Sequence, residues 1–424
     1  VGNTRNLGDL LNTDSTIATA DVADGGITTA KLADTAVTTA KITDANITTA
    51  KLASNAVTTA KITDGNISTA KLADDAVTGA KIENNPTIAG NLTVSGGFIP
   101  STAYSNRNII INGNMQVAQR ATSKAVTASG TFVCDRWGIA LSSDGRFTMS
   151  QASITDLEGF GKATKLDCTT ADTSIASDEL LLFYQRFEGQ FLQRMQKGFS
   201  SAKPVTLSFY VKGNASATYV AELIDSDNSF RHINKSFSVT TSWSRVSLTF
   251  QGDTTGKITA DNSASLYLHI WLHAGSNYTS GSLQTSWGSI VSANRAVGIS
   301  SFFDSTDREF FITGIQMELG EVATPFEHET FGDNLARCQR YFRQIGTIRH
   351  QGANGNPVGQ MIPLEPTMRA SPTVTGNSST GGSHSIAGTG DFPNTQIIYS
   401  GTASTSGSTA FIQFTGVTAD AEIN

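Results

Sequence analysis

The sequence predicts a mainly β chain: a fibrous repeat shaft, read as trimeric, followed by a jelly-roll β-sandwich and a smaller C-terminal β-sandwich. Three observations carry this. Aliphatic residues recur at every fifth position from Ile17 to Ile82. From Asn106 onward, alternating apolar segments are separated by Gly, Asp, Asn and Ser clusters, as in strands joined by turns. Only "GQFLQRMQKG" and "GDNLARCQRYFRQIG" read as helix, the latter leading into a further strand.

A five-residue period fits neither a helix, with apolar residues every 3.6, nor a half-buried strand, with period 2. The two halves of each decapeptide differ, one reading [I/V]-T-T-A-K and the other ending in Asp and Ala or Asn. A Thr stands where a helix N-cap would, and Asp34, Asp44, Asp64 and Asp74 follow Lys31, Lys41, Lys61 and Lys71 by three. One helical turn per decapeptide and then a short extended piece is the expectation. A single such chain leaves a thin aliphatic stripe in water, which parallel copies about a closed axis would bury. A monomeric pentapeptide solenoid is the competing reading: Ala30 before Leu32 and Ala40 before Ile42 suit it, whereas Thr35 before Val37 and Asn55 before Val57 do not. A disordered linker would not need an aliphatic residue at each fifth place.

Five regions follow: 1–16, an anchor or linker remnant; 17–85, the shaft; 86–105, a neck opened by Pro86; 106–333, the jelly roll; and 334–424, a C-terminal tip. Val1 in place of Met suggests that an upstream portion exists. With 38% apolar residues the downstream chain can build real cores, and 16% charged residues with a net of −6 exclude a basic nucleic-acid surface. Membrane insertion is not expected, because no apolar run approaches a span. Cys134, Cys168 and Cys338 show no CxxC spacing, so a disulfide framework or zinc knuckle is not expected and folding in a reducing cytosol fits.

The stretches "NIIINGNMQVAQRAT", "FVCDRW", "YQRFEGQFLQRM", "KPVTLSFYVKGNASATYVAEL" and "TGIQMELGEVATPFEHETFGDNLARCQRYF" together resemble a domain of tail fibre and tail tip proteins of tailed bacteriophages. The TTAK decapeptides resemble fibre shafts of marine phages, cyanophages among them. The resemblance implies a homotrimeric virion tail fibre, assembled in the host cytoplasm, that attaches to host surface polysaccharide or lipopolysaccharide and joins other tail or baseplate proteins through its N-terminal end. "NIIINGNMQ" also resembles the opening of jelly-roll carbohydrate-binding modules, where acidic residues hold a calcium. Here Asn114 and Gln116 stand in those places, so no metal and no cofactor are expected.

Glycan binding calls for exposed rings with amides or carboxylates at the rim. Trp137 and Trp271 read as core and Trp243 as the close of a sheet edge. Tyr278 and Trp287, in "AGSNYTSGSLQTSWGSI", and His384, in the polar loop "TGNSSTGGSHSIAGTGDFPNTQ", are the candidate ligand-binding residues. No catalytic residue is expected. Glu188 and Glu318 sit among strand residues and read as structural, the histidines do not pair at ligand spacing, and no GxSxG, HExxH or P-loop pattern occurs. The chain therefore reads as a non-enzyme. The alternatives are a tail-associated polysaccharide depolymerase or a secreted or bacterial surface carbohydrate-binding adhesin.

Overall fold

The computed structural model describes residues 22–44, 46–54, 56–58, 61–62, 67–68 and 72 of the repeat, and 106–351, 357–379, 384–388, 394–402 and 411–423 downstream. Val1–Gly97 and Phe98–Asn424 are separate units. The expected anchor remnant and neck lie outside the described residues.

In the repeat, Thr29–Lys31, Thr39–Lys41 and Thr49–Lys51 each form one 3₁₀ turn. Thr28 is extended, as an N-cap is, but its side chain makes no capping bond; its carbonyl accepts the Lys31 N–H at 2.9 Å. The lysines bond backbone rather than the aspartates three residues on: Nζ of Lys31 donates to Gly26 O at 2.7 Å, and Lys41 and Lys61 repeat this on Ala36 and Ala56 at 2.6 Å. The piece expected to be extended contains a second tight turn, with Ala36 N–H donating to Ala33 O at 2.9 Å and Ala56 N–H to Ala53 O at 3.0 Å. Two turns per decapeptide bring an aliphatic side chain to the surface every five residues, and Ile27 and Val37 are 56% and 57% exposed.

The second unit is a two-sheet β-sandwich. Its strands are β1 (Ser123–Val126), β2 (Thr131–Phe132), β3 (Gly138–Ser142), β4 (Arg146–Ser153), β5 (Lys162–Thr170) and β6 (Leu180–Glu188). They continue with β7 (Val205–Gly213), β8 (Ala217–Asp225), β9 (Arg231–Val239), β10 (Ser244–Phe250), β11 (Ala264–Ala274) and β12 (Glu309–Leu319). One sheet runs β1-β4-β5-β12-β7-β10, the other β2-β3-β6-β11-β8-β9, and every pairing is antiparallel. Alternation decides the facing: on β11, Leu266, Leu268, Ile270 and Leu272 enter the core, while Tyr267, His269 and Trp271 point away from it. Trp137 is fully buried and stacks on Phe183 at 4.7 Å. The three cysteines are free and buried, and burial pushes the Cys134 thiol up to about 12.

The expected first strand, "NIIINGNMQVAQ", is instead an irregular buried ribbon. Its asparagines bond their own backbone in competition with a ladder: Asn112 Oδ1 accepts the Val117 N–H at 3.0 Å while its Nδ2 donates to Val117 O at 2.8 Å. Asn112 and Met115 both adopt φ 58°. Gly113 is required, since a Cβ there would lie 2.0 Å from Ile315 O on β12. Gln185 satisfies Ile111 in both directions at 2.9 Å.

The expected helix at "GQFLQRMQKG" is one α turn, α1 (Gly189–Leu192), continued by a 3₁₀ turn, and α2 (Ser276–Thr279) is equally short. Helix α3 (Phe331–Gln339) starts at Thr330, whose hydroxyl oxygen accepts the Asp333 N–H at 3.2 Å. Beyond it come β13 (Phe342–Gln351), β14 (Pro357–Pro363), β15 (Thr373–Ser379), β16 (His384–Gly388), β17 (Gln396–Thr402) and β18 (Phe411–Asp420), in two three-stranded sheets ordered β13-β18-β15 and β14-β17-β16. Glu188 ties α3 and this region to the large sandwich: fully buried, it accepts two bonds from Arg340 at 3.0 and 2.7 Å and one from the Tyr341 hydroxyl.

Candidate functional site

The outward face of the second sheet carries a cluster of polar and aromatic side chains. Cross-strand register sets Tyr267 opposite Arg186, His269 opposite both Tyr184 and Glu222, and Glu222 opposite Asn234. Phe132, Tyr184, His269 and Tyr267 then form a continuous row of rings, with centroids 6.3, 6.2 and 5.8 Å apart in turn. The Arg186 guanidinium lies 4.9 Å from the Tyr184 ring and 5.1 Å from that of Tyr267. Tyr184 has room because its partner on β3 is Gly138, where a Cβ would meet the phenol at 2.6 Å. Tyr267 is the half-buried, accessible end of the row.

Glu222 is the charged hub behind this row. It is fully buried and accepts bonds from His232 Nδ1 at 2.9 Å, Trp271 Nε1 at 2.8 Å, and Arg295 Nε and Nη2 at 2.9 and 2.8 Å. Burial alone would push this carboxyl up, yet bonds from His232 and His269 and the charge of Arg295 hold it well below the usual carboxylate range. Burial, against the pull of Glu222, pushes His269 down. The 275–300 loop covers this half of the sheet. It pairs with the edge of β9 through His232 and Gly288, N to O at 2.9 and 3.2 Å, and so protects an otherwise open edge.

A second cluster lies where the segment between β5 and β6 meets the end of β11. His273 Nε2 is 3.0 Å from Glu179 Oε2, and its Nδ1 is 2.8 Å from Ser301 Oγ. Asp172 completes the group, with the ligand-capable atoms of Asp172, Glu179 and His273 all within 4.8 Å of one another. Asp172 accepts bonds from Ser143 Oγ at 2.7 Å and Asp144 N at 3.1 Å; against burial, the first of these and a bond shared with Glu179 hold it below the usual range. The non-enzyme expectation is corrected by this finding. It rested on histidines and carboxylates scattered along the chain, and folding gathers residues about a hundred apart into a buried Asp-Glu-His group with the composition of a catalytic or metal-binding site. No local spacing could have announced it.

The expected ligand residues fall in three places. Tyr278 begins the covering loop, half-buried, its ring 5.1 Å from Trp271 and 5.9 Å from the Arg295 guanidinium. Trp287 packs against the main core, its indole N–H donating to Gln251 O at 2.7 Å and its ring 5.5 Å from Lys197 Nζ. His384 opens strand β16, in register with Gly401, rather than lying in a loop. The fold joins Tyr278 to the Glu222 network through Trp271 and Arg295 but does not bring the three together. Sequence reasoning missed Tyr184, Arg186, Tyr267 and Glu222; the alternation of β6, β8 and β11 was the available signal for them.

No family model and no curated protein matches this chain. Among solved structures, a CBM4 domain is 10% identical over 49% of this chain and 98% of its own, with TM-score 0.27. An enzymatically active domain of tailspike protein 4 of bacteriophage CBA120 is 11% identical over 50% and 22%, with TM-score 0.26. An arabinose-bound α-L-arabinofuranosidase, MgGH51, is 9% identical over 51% and 27%, with TM-score 0.28. The chain thus spans about a quarter of the tailspike and arabinofuranosidase chains. At TM-scores this low, the likeness carries no weight for function.

Proposed function

We propose that this protein binds a surface glycan through the outward face of its second sheet, as the head of a phage tail fibre whose decapeptide repeat forms a homotrimeric shaft. One observation carries the glycan reading: the half-exposed Tyr267 ring, backed by the buried rings of His269, Tyr184 and Phe132 and flanked by the Arg186 guanidinium 5.1 Å away, offers a fixed aromatic platform edged by charge. A pyranose stacks its C–H face on such a ring and gives its hydroxyls to planar polar groups beside it. Tyr278 and Trp287, on the loop over the neighbouring half of the sheet, and His384 are proposed as further contacts. The fibre reading draws on the repeat and on the resemblance of the sequence to tail fibres. Regions 1–16, 17–85, 86–105, 106–333 and 334–424 are its proposed domains.

The test is retention of the full chain on immobilised bacterial envelope polysaccharides. Tyr267→Ala should weaken binding by about 2 kcal/mol, roughly thirtyfold, as loss of a central aromatic anchor does. Wild-type affinity in that variant would rule this face out.

A second reading is favoured by Asp172, Glu179 and His273: a site that cleaves the bound glycan or holds a divalent cation. Release of reducing ends from the retained polysaccharide, abolished in Glu179→Gln, would establish cleavage.

A further inference from the structure

A cavity of about 470 Å³ opens between the buried N-terminal ribbon, α1 and α3. Its volume falls within the ~300–1,000 Å³ usual for small-molecule sites. Ile109 and Phe187 supply an apolar floor, and Phe191, 49% exposed, stands at its margin with the Arg340 guanidinium 5.7 Å from its ring centre. Arg194, Arg337 and Arg340 all line it.

These three arginines are not equivalent. Arg340 is neutralised by Glu188, at 3.0 and 2.7 Å, and Arg337 by Glu329. Arg194 bonds no carboxylate among the described residues. Its Nη1 donates to Asn106 O and its Nη2 to Arg107 O at 3.3 Å, while its Nε is buried without a partner. Burial and the neighbouring Arg337 charge depress its pKa, only partly offset by Glu327 at a distance. Arg194 thus lines the cavity with no carboxylate partner among the described residues, and its Nη groups, which hold backbone carbonyls, keep further N–H bonds for an anion entering there.

We propose that this cavity binds a carboxylate-bearing sugar, a uronic acid unit of an acidic polysaccharide, its carboxylate on Arg194 and its apolar ring face on Phe191. The proposal rests on the glycan-binding reading and adds the substrate class to it. A planar carboxylate suits the guanidinium fork, and a sugar acid, on the glycan-binding reading, can use the ring and the charge together.

The experiment is calorimetric titration of the full chain with an oligogalacturonate and with a neutral galacto-oligosaccharide of equal length. The acidic oligomer is expected to bind at least tenfold more tightly, and Arg194→Gln is expected to cost that tenfold while leaving the neutral oligomer unaffected. Phe191→Ala, which removes an exposed ring and leaves the core intact, should cost a similar factor and keeps the test decisive if Arg194→Gln does not fold. Equal affinity for the two oligomers, or undiminished acid binding in the variant that folds, overturns the proposal. Binding of the neutral oligomer alone, or of neither, would overturn the acidic subsite, while the glycan reading itself stands or falls with retention on envelope polysaccharides.

Discussion

Glu222 shows how one residue can commit a whole face. A fully buried carboxylate is costly unless every lone pair finds a donor, and here two histidines, an indole and a bidentate guanidinium supply them. Removing the charge strands Arg295 without its counter-ion. Glu222→Gln is therefore expected to destabilise the sandwich by about 3 to 5 kcal/mol, read as a lowered urea midpoint. Trp137→Ala belongs to another mechanism: it opens a cavity between the sheets, beside Phe183, and should cost about 3 to 5 kcal/mol by lost packing. The two losses should add, because Trp137 is packed inside the sandwich and Glu222 faces out of it.

At the scale of the element, the 275–300 loop is held to its sheet by this titratable network. Both shifted groups act in the same direction. His269 has a depressed pKa, so the unfolded state takes up its proton first and stability falls as the pH drops below the ordinary value of 6.5. Glu222 is depressed as well; its contribution is complete above the ordinary 4.5 and is lost as the pH falls toward its lower folded value. Stability should therefore decline on acidification in two stages. Amide exchange at Gly288 and Asn234, which bond His232 O and Gln284 O across the seam, should rise with the first stage, ahead of core amides such as Ile270. Simultaneous loss of protection at all three would refute local release of the loop.

For the molecule as a whole, the repeat poses the largest energetic question. Its aliphatic residues stand 40–57% exposed from Ile27 to Ile67 in one chain, a regular apolar series with no layer of its own to cover it. Three parallel copies would cover it, so sedimentation equilibrium of the full chain should give three times the 44.7 kDa chain mass. A monomer that keeps its repeat folded would instead favour the solenoid.

Much of the β architecture was legible because alternation and turn chemistry are local. The facing of β11 follows from its pattern, α3 from "GDNLARCQRYFRQIG", and the repeat from its own periodicity. The misses have local reasons too: the asparagines of residues 106–119 satisfy their backbone themselves, and His384 pairs with Gly401, a partner that only the β16–β17 ladder supplies. The candidate sites were less legible, since each is assembled across long separations. His273 meets Glu179 and Asp172 only when β11 lies beside β6, and Arg194 faces a cavity only because α3 and the ribbon close around it. Sequence by itself determined most strands of the large sandwich and the five-residue period, which depend on neighbours a few residues away. Tertiary structure alone decided which charges are paired, which ring stays open to water and which guanidinium lacks an anion, because desolvation and counter-charge are properties of the assembled surroundings.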